Sequence, residues 1–144
     1  MKKKLVGAVA MLFASSAFAA SVQDVAERYM KLVLAVGVHD SSYVDAYYGP
    51  PELQKQAADD KKTLATIRDE VDAALKDLAT QTATNADAAL RIEFLNKQLS
   101  SMLTRIDMLN GKKFSFDDET ERLYDAVSPH YDRAHYMKLV REID

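Results

Sequence analysis

Residues 40–53 concentrate side chains that are suited to binding a ligand. The segment reads Asp-Ser-Ser-Tyr-Val-Asp-Ala-Tyr-Tyr-Gly-Pro-Pro-Glu-Leu. Phenol rings stack on other groups, and their hydroxyls form hydrogen bonds. Helical spacing would place Tyr43 and Tyr47 on one face, Tyr48 on the next face and Asp45 beside them. Two interpretations stay open: the tyrosines anchor an irregular connection in the core, or they form one wall of a binding cleft.

The histidines and the main acidic cluster lack the spacing of metal ligands. His130 and His135 are five residues apart, whereas a chelating pair on a helix is four apart, and His39 is remote in sequence. Acidic residues at 117–121 fall in the first turns of a predicted helix, where the helix dipole favours carboxylates. A calcium loop would instead need an irregular backbone with a central glycine. We therefore predict no metal ligand, no cofactor and no catalytic residue.

The first 19 residues have the organisation of a secretory signal peptide. Three lysines, at residues 2–4, precede a short apolar run, and Ala17-Phe18-Ala19 has the small-x-small pattern of a cleavage site. The apolar run is shorter than the stretch of 18 or so residues that indicates a spanning helix. We expect an exported protein, periplasmic or secreted, with no membrane segment after cleavage.

Composition limits the partners of the remaining 125 residues, which we expect to form a single helical domain over residues 20–144. Cleavage would remove three of 19 basic residues and none of 22 acidic ones, so the formal charge changes from −3 to −6. An acidic chain without a basic cluster argues against nucleic acid as a partner. Cysteine is absent, which excludes disulfides and thiolate metal sites. Tyrosines cluster near residues 43–48 and 124–136, and these two clusters could meet.

Apolar spacing predicts an all-α fold, an antiparallel bundle built around a long helix pair. Stripes at 3–4 spacing mark residues 64–78 and 92–109, and Gly111 is placed to end the second of these helices. Capping pairs should begin three of the helices: Ser21 with Asp24 for a first helix that ends at Gly37, Thr84 with Asp87 for the helix of the second stripe, and Ser115 with Asp118 for a fifth helix that ends at Val127. Short helices should flank the Tyr-Tyr-Gly-Pro-Pro turn. One of them, residues 43–48, would be capped by Ser42 with Asp45 and stopped by Gly49, and the other would begin at Pro51.

The last predicted helix, residues 132–144, ends without a stop signal. It carries four apolar side chains on one side: Tyr136, Leu139, Val140 and Ile143. Neither glycine, proline nor a polar tail follows them. This pattern is compatible with a natural C-terminal helix and with an interrupted one.

Two segments carry a resemblance to a family of large bacterial proteins of the zinc-metallopeptidase type. Residues 43–52 read Tyr-Val-Asp-Ala-Tyr-Tyr-Gly-Pro-Pro-Glu and follow a Gly-x-His-Asp turn at residues 37–40. Residues 123–129, Leu-Tyr-Asp-Ala-Val-Ser-Pro, and residues 131–135 are similar to the region that follows the family's long helix pair. The resemblance covers most of the chain after residue 19.

The resemblance implies a helical N-terminal region of a protein several hundred residues long. The catalytic His-Glu-x-x-His helix of such a protein would lie downstream of Asp144, and no such motif occurs here. No zinc ligand or catalytic glutamate is therefore transferred to this chain. With the missing helix stop, the resemblance favours a truncated chain whose partner is its own C-terminal part.

Two functional hypotheses follow from these observations. The first is an exported N-terminal domain or fragment of a zinc-peptidase-like protein, without catalytic residues of its own, whose Tyr43, Tyr47 and Tyr48 help to line a substrate cleft. The second is an autonomous periplasmic helical bundle that binds a partner or a small ligand. Whether the protein is an enzyme stays open at this point, because no catalytic constellation is assigned to it.

Overall fold

The computed structural model describes residues 20–143, and these contain six α-helices and no β-strand. The prediction of an all-α fold is confirmed. In chain order the helices are α1 (Val22–His39), α2 (Pro51–Asp60), α3 (Leu64–Ala79), α4 (Ala86–Leu109), α5 (Phe116–Tyr124) and α6 (Arg133–Ile143).

Three helices, α1, α3 and α4, contact one another pairwise and enclose the core. The buried apolar side chains of α3 and α4 lie on the predicted stripes. Burying one leucine or isoleucine side chain completely stabilises the folded state by roughly 1.5–3 kcal/mol. The buried stripe residues are Ile67, Val71, Ala74, Leu78, Leu95, Leu99, Met102 and Ile106. Around this core, α2 packs on α1 and α5 packs on α4, whereas α6 contacts no other helix of the described chain.

Side chains cap the starts of α1, α3, α4 and α5. Ser21 and Asp24 form the predicted capping box of α1, each closing onto the backbone of the other. The cap of α4 lies one residue later than predicted: Asn85, and not Thr84, accepts a hydrogen bond from the backbone N–H of Ala88 at 2.8 Å. The loop between α3 and α4 therefore comprises residues 80–85.

Two glycines of the predicted helix stops behave differently. Gly111 has φ +90° and follows the C-cap of α4, as predicted. Gly37 lies inside α1, which continues to His39, so the predicted end at Gly37 is wrong. A Cβ atom at Gly37 would lie 3.1 Å from Cγ2 of Val44, so the residue is small because the next segment packs against it.

The short helix predicted over residues 43–48 is absent, and that prediction is wrong. Ser42 does not cap a helix as predicted. Its backbone N–H and its hydroxyl instead both donate to Oδ1 of Asp40, at 3.2 and 2.7 Å. Such an Asx-type turn competes with helix formation. The helix predicted to begin at Pro51 does form, as α2, with proline in its first turn.

The fifth helix is shorter than predicted. α5 ends at Tyr124 because Asp125 adopts the left-handed conformation, with φ 54°, and donates its N–H to the carbonyl of Glu121. Val127, the predicted last residue, lies beyond the helix and is exposed. An aspartate tolerates this conformation better than most residues do.

Residues 1–19, which carry the predicted signal peptide, lie outside the described residues. Within the described chain, none of the helices has the length and apolarity needed to cross a bilayer. The capping box of Ser21 and Asp24 is local, so cleavage after Ala19 would leave the first turn of α1 intact.

Candidate functional site

A cleft of about 770 Å³ lies between α4 and the C-terminal half of α5. Its α4 side is lined by hydroxyl and amide side chains and one lysine, and its other side is the last turn of α5. The lining residues from α4 are Asn96, Lys97, Gln98, Ser100, Ser101 and Thr104, and those from α5 and its cap are Glu121, Arg122, Leu123, Tyr124 and Asp125.

A smaller cavity of about 300 Å³ adjoins this cleft and contains the start of the tyrosine-rich segment. Ser101, Leu123 and Tyr124 line both cavities. Residues that line only the smaller one are Asp40, Ser42, Tyr43 and Arg105. We call the two cavities together the α4–α5 cleft. Tyr43 and Tyr124 belong to the two tyrosine clusters of the sequence, and they share the smaller cavity.

An ion pair fixes the turn at the end of α1 to the C-terminal part of α4. The guanidinium of Arg105 donates from Nε and Nη2 to Oδ2 of Asp40, at 2.8 and 2.6 Å. The Asp40 side chain is only 9 % exposed and that of Arg105 is 30 % exposed. The hydrogen bond from the Ser42 side chain, followed by that from Arg105, lowers the pKa of Asp40 below its ordinary value of 3.8.

A second ion-paired group closes the other end of the cleft. Nζ of Lys97 lies 2.7 Å from Oε1 of Glu93 and 2.8 Å from Oδ2 of Asp125. Hydrogen bonds to Asp125 and then Glu93 raise the pKa of Lys97. Because Asp125 caps α5, this contact also fixes the end of α5 against α4.

The hydroxyl groups of the cleft are only partly engaged by the protein. Ser101 Oγ donates to the carbonyl of Leu123 at 3.2 Å, which joins the two walls. Tyr43 is mostly buried, and burial followed by the nearby Tyr29 raises the pKa of its phenol to about 12. Tyr124, at the rim, is 73 % exposed as a residue. The cleft therefore offers hydroxyls, amides and one exposed ring to a bound molecule.

Asp40, Lys97 and Tyr43 do not change their protonation states near neutral pH. The pKa of Asp40 is lowered, and the pKa values of Lys97 and Tyr43 are raised, so all three move away from 7. A general acid or base works best with a pKa close to the working pH. This arrangement suits recognition by hydrogen bonds and stacking better than proton transfer.

The four candidate residues of the tyrosine-rich segment occupy different places. Tyr43 enters the cleft and also packs against the core. The hydroxyl of Tyr47 donates to the carbonyl of Pro50 at 3.2 Å and so supports the turn into α2. Tyr48 is 96 % exposed, and Asp45 is exposed as well. The structure thus brings one of the four into the cleft.

Arg105, Ser101 and Lys97 are among the lining residues that the sequence analysis missed. They lie on the polar side of α4, where charged and hydroxyl side chains are usual for a solvated face. Arg105 and Asp40 are separated by 65 positions in the chain. Only the packing of α4 against the end of α1 brings them together, so no local pattern could have revealed the pair.

Each of the three histidines contacts a different neighbour. Nε2 of His39 lies 2.6 Å from the carbonyl oxygen of Lys62, and Nε2 of His130 lies 2.9 Å from Oδ2 of Asp117. The ring of His135 stacks on Tyr131 with 4.0 Å between centroids. Within residues 20–143, no three histidine or acidic side chains form a group that could hold a metal ion.

The acidic residues at 117–121 begin α5, as predicted. Asp118 donates its backbone N–H to Oγ of Ser115 at 3.2 Å, and the Ser115 hydroxyl donates to the Asp118 carboxylate at 2.7 Å. Asp117 pairs with His130. Capping and the helix dipole account for this cluster.

Comparison with protein-family models, curated protein sequences and solved structures finds no match to this chain.

Proposed function

We propose that this chain is a non-catalytic helical binding domain of an exported protein and that the α4–α5 cleft holds its ligand. The observation that carries the proposal is the pairing of charges inside the cleft. Arg105 is held by Asp40, and Lys97 is held by Glu93 and Asp125. These paired charges position the walls, and the remaining hydrogen-bonding capacity of the lining hydroxyls and amides is left to recognise a hydrogen-bonding ligand.

The class of ligand that fits best is a peptide segment in an extended conformation. A peptide N–H would donate to Oγ of Ser101, whose own proton goes to the Leu123 carbonyl, and a peptide carbonyl would accept from the side-chain amide of Asn96. An apolar side chain would pack on Tyr124. The cleft is elongated along α4, from Asn96 to Arg105, which suits a chain-like molecule. The resemblance to metallopeptidase-type proteins supports the same class, since a domain of such a protein would lie beside a peptide substrate.

Within that resemblance, zinc chemistry is proposed for residues downstream of Asp144. The described donor set of this chain does not fit zinc, because His39, His130 and His135 each engage a different neighbour. Signal-directed export followed by assembly with a downstream catalytic part is the form of the proposal that the resemblance favours. No step of peptide hydrolysis is assigned to any residue of this chain.

A second candidate function is that of an autonomous periplasmic bundle that binds a small ligand or a partner. The observation that favours it is the continuous core of α1, α3 and α4, whose buried residues form one cluster between Val25 and Ile106. A core of this kind can fold without added segments. Both candidates place binding, and not chemistry, in the described chain.

Binding can be tested with ¹⁵N-labelled protein and a mixture of capped pentapeptides as the probe. We expect chemical-shift changes at the side-chain amides of Asn96 and Gln98 and at the backbone of residues 121–125. Ser101→Phe, which fills the cleft, should abolish them. Gln54→Phe adds the same ring to an exposed position of α2 and should leave them unchanged. Shift changes confined to other surfaces would contradict the proposal.

Catalysis is tested separately with a fluorogenic protein substrate and added zinc. The purified chain should hold no stoichiometric zinc and should release no fluorescence above the buffer control. Zinc-dependent hydrolysis that persists through successive purification steps would overturn the non-catalytic assignment. Sequencing the gene beyond codon 144 distinguishes the two candidates, because a continued reading frame with His-Glu-x-x-His favours the first and a stop codon favours the second.

A further inference from the structure

Among the exposed apolar side chains of residues 20–143, two groups lie on helix faces. The first, which we call the α4 patch, consists of Leu90 and Phe94 in the N-terminal half of α4, which are 65 % and 55 % exposed. The second, which we call the α6 face, is formed by one side of the last helix. Its residues are Tyr136, Leu139, Val140 and Ile143, all exposed. Exposed apolar groups arranged on one helix face are typical of an interface.

The α4 patch continues a surface that α5 already covers. Leu90 and Phe94 share the outward side of α4 with Lys97 and Ser101, because these positions are separated by three or four residues. α5 lies over the latter two, where Lys97 binds Asp125 and Ser101 binds the carbonyl of Leu123. One helix therefore covers the C-terminal half of this side of α4, and space for another remains over the N-terminal half.

The chain directs its own α6 away from the α4 patch. α5 ends beside Lys97, one helical turn from Phe94. The following segment then runs back along α5, because His130 contacts Asp117 in the first turn of that helix. α6 begins three residues later, near the end of α5 that is remote from the patch, about 13 Å away along a nine-residue helix. The α6 of a second molecule is not tied to this α5 and can reach the patch.

The charges around the two surfaces are complementary. α6 carries Arg133, Lys138 and Arg141 against one acidic residue, Glu142, whereas the chain as a whole is acidic. The α4 patch is flanked by two acidic residues, Asp87 and Glu93, the latter already paired with Lys97. Arg91, the nearby basic residue, donates to Gln23 at 2.7 Å. Lys97 is shared between Glu93 and Asp125, so Asp87, Glu93 and Asp125 against Arg91 and Lys97 leave a net charge of −1 around the patch, opposite in sign to the +2 of α6.

We infer that the protein forms a two-fold symmetric dimer in which the α6 face of each copy covers the α4 patch of the other. The symmetry makes the two contacts identical, so each dimer buries both α6 faces and both patches. Leu139 and Val140 would pack on Leu90 and Phe94, and the basic side chains of α6 would lie beside Asp87 and Glu93.

The absence of cysteine from the sequence allows a direct test of exchange between copies. Phe94→Cys and Val140→Cys are made separately in the exported form, residues 20–144, and mixed in equal amounts under mild oxidation. We expect a disulfide-linked heterodimer on non-reducing gels, since the two sulfurs sit in one contact of the dimer. Tyr48→Cys mixed with Val140→Cys is the matched control and should link poorly, because Tyr48 is exposed and outside both surfaces.

Light scattering provides the second readout. The mass of the unmodified protein should rise from one chain to two with concentration, and Phe94→Asp should weaken the dimer about tenfold or more. Because Phe94 is exposed, the variant should keep its helical circular dichroism. A monomer at every concentration overturns the inference. So does a cross-link that forms only within one chain carrying both cysteines, since α6 would then close on its own patch.

Discussion

Two regions of this chain have the same kind of amphipathic sequence but bury it to different extents. Residues 22–109 and residues 116–143 both contain amphipathic helices, and a serine caps the first helix of each region, Ser21 for α1 and Ser115 for α5. Every apolar residue of the buried core comes from the first region, between Val25 and Ile106, whereas α5 and α6 have no buried residue. Apolar periodicity therefore predicts a helix and its apolar face. Whether that face is buried depends on whether another helix packs against it.

The largest expected difference between the regions is the effect of removing a leucine side chain. Leu99→Ala should lower the free energy of unfolding by about 2–5 kcal/mol, because Leu99 is completely buried between α1, α3 and α4. Leu139→Ala, measured at low protein concentration, should change it by less than about 0.5 kcal/mol. Urea denaturation followed by circular dichroism measures both. Equal effects would mean that α6 is part of the core.

The second-largest expected change in the free energy of unfolding comes from breaking the ion pair between Arg105 and Asp40. Arg105→Met should destabilise the protein by about 1–3 kcal/mol, because it leaves the poorly exposed Asp40 carboxylate without its main charged partner. Lys55→Met is the matched control. It removes the exposed partner of Asp59 on α2 and should cost less than about 0.5 kcal/mol. If the two variants unfold at the same urea concentration, the pair does not hold the cleft together.

The same pair predicts a pH dependence with a defined sign. The pKa of Asp40 is lower in the folded protein than its ordinary value of 3.8, so the unfolded chain binds the proton more tightly. The stabilisation is complete above pH 3.8 and is lost as the pH falls through the lower pKa of the folded state. The difference in stability between the unmodified protein and Asp40→Asn should therefore shrink below pH 3.8. A constant difference down to pH 2 would contradict this assignment.

Helix caps offer a smaller but sharper comparison. Ser21→Ala and Ser115→Ala remove equivalent caps, each worth about 1 kcal/mol to its own helix. Since α1 belongs to the core, the first variant should lower the global unfolding free energy by that amount. The second should instead speed hydrogen exchange in α5 while leaving the global value nearly unchanged. Equivalent global losses in both variants would show that α5 unfolds together with the core.

The smallest expected effect is at Gly37. Alanine there gains helix propensity of up to about 1 kcal/mol, but its Cβ would lie 3.1 Å from Val44. We expect Gly37→Ala to be destabilising by a few tenths of a kcal/mol and to become stabilising when combined with Val44→Ala, which removes the clash. Additive effects of the two substitutions in urea denaturation would mean that Val44 does not press on α1.

The sequence predicted those parts of the fold that depend on local spacing. The 3–4 stripes of α3 and α4 match the buried residues, and Ser21 and Ser115 cap the helices that they were expected to cap. Prediction failed at residues 43–48. There a capping pattern was present, but Asp40 formed an Asx-type turn that Arg105 holds from across the bundle. Local propensity yields to such a tertiary contact.

The candidate site was predictable only in part, for the same reason. Tyr43 was a candidate, and it lines the cleft with Tyr124 of the second tyrosine cluster. Lys97 and Arg105 could not be recognised, since a polar residue on a solvated helix face looks the same whether or not another helix packs over it. Their importance comes from Asp125 and Asp40, which only the fold brings near.

Hydrogen exchange resolved along the chain tests the contrast between the two regions most directly. At protein concentrations too low for a dimer, amides of α1, α3 and α4 should exchange only through global unfolding, and those of α6 should exchange within seconds to minutes. Raising the concentration should slow exchange in α6 and around Leu90 and Phe94 together. Strong protection of α6 at low concentration, equal to that of α4, would contradict the division into a self-contained core and an associating C-terminal region.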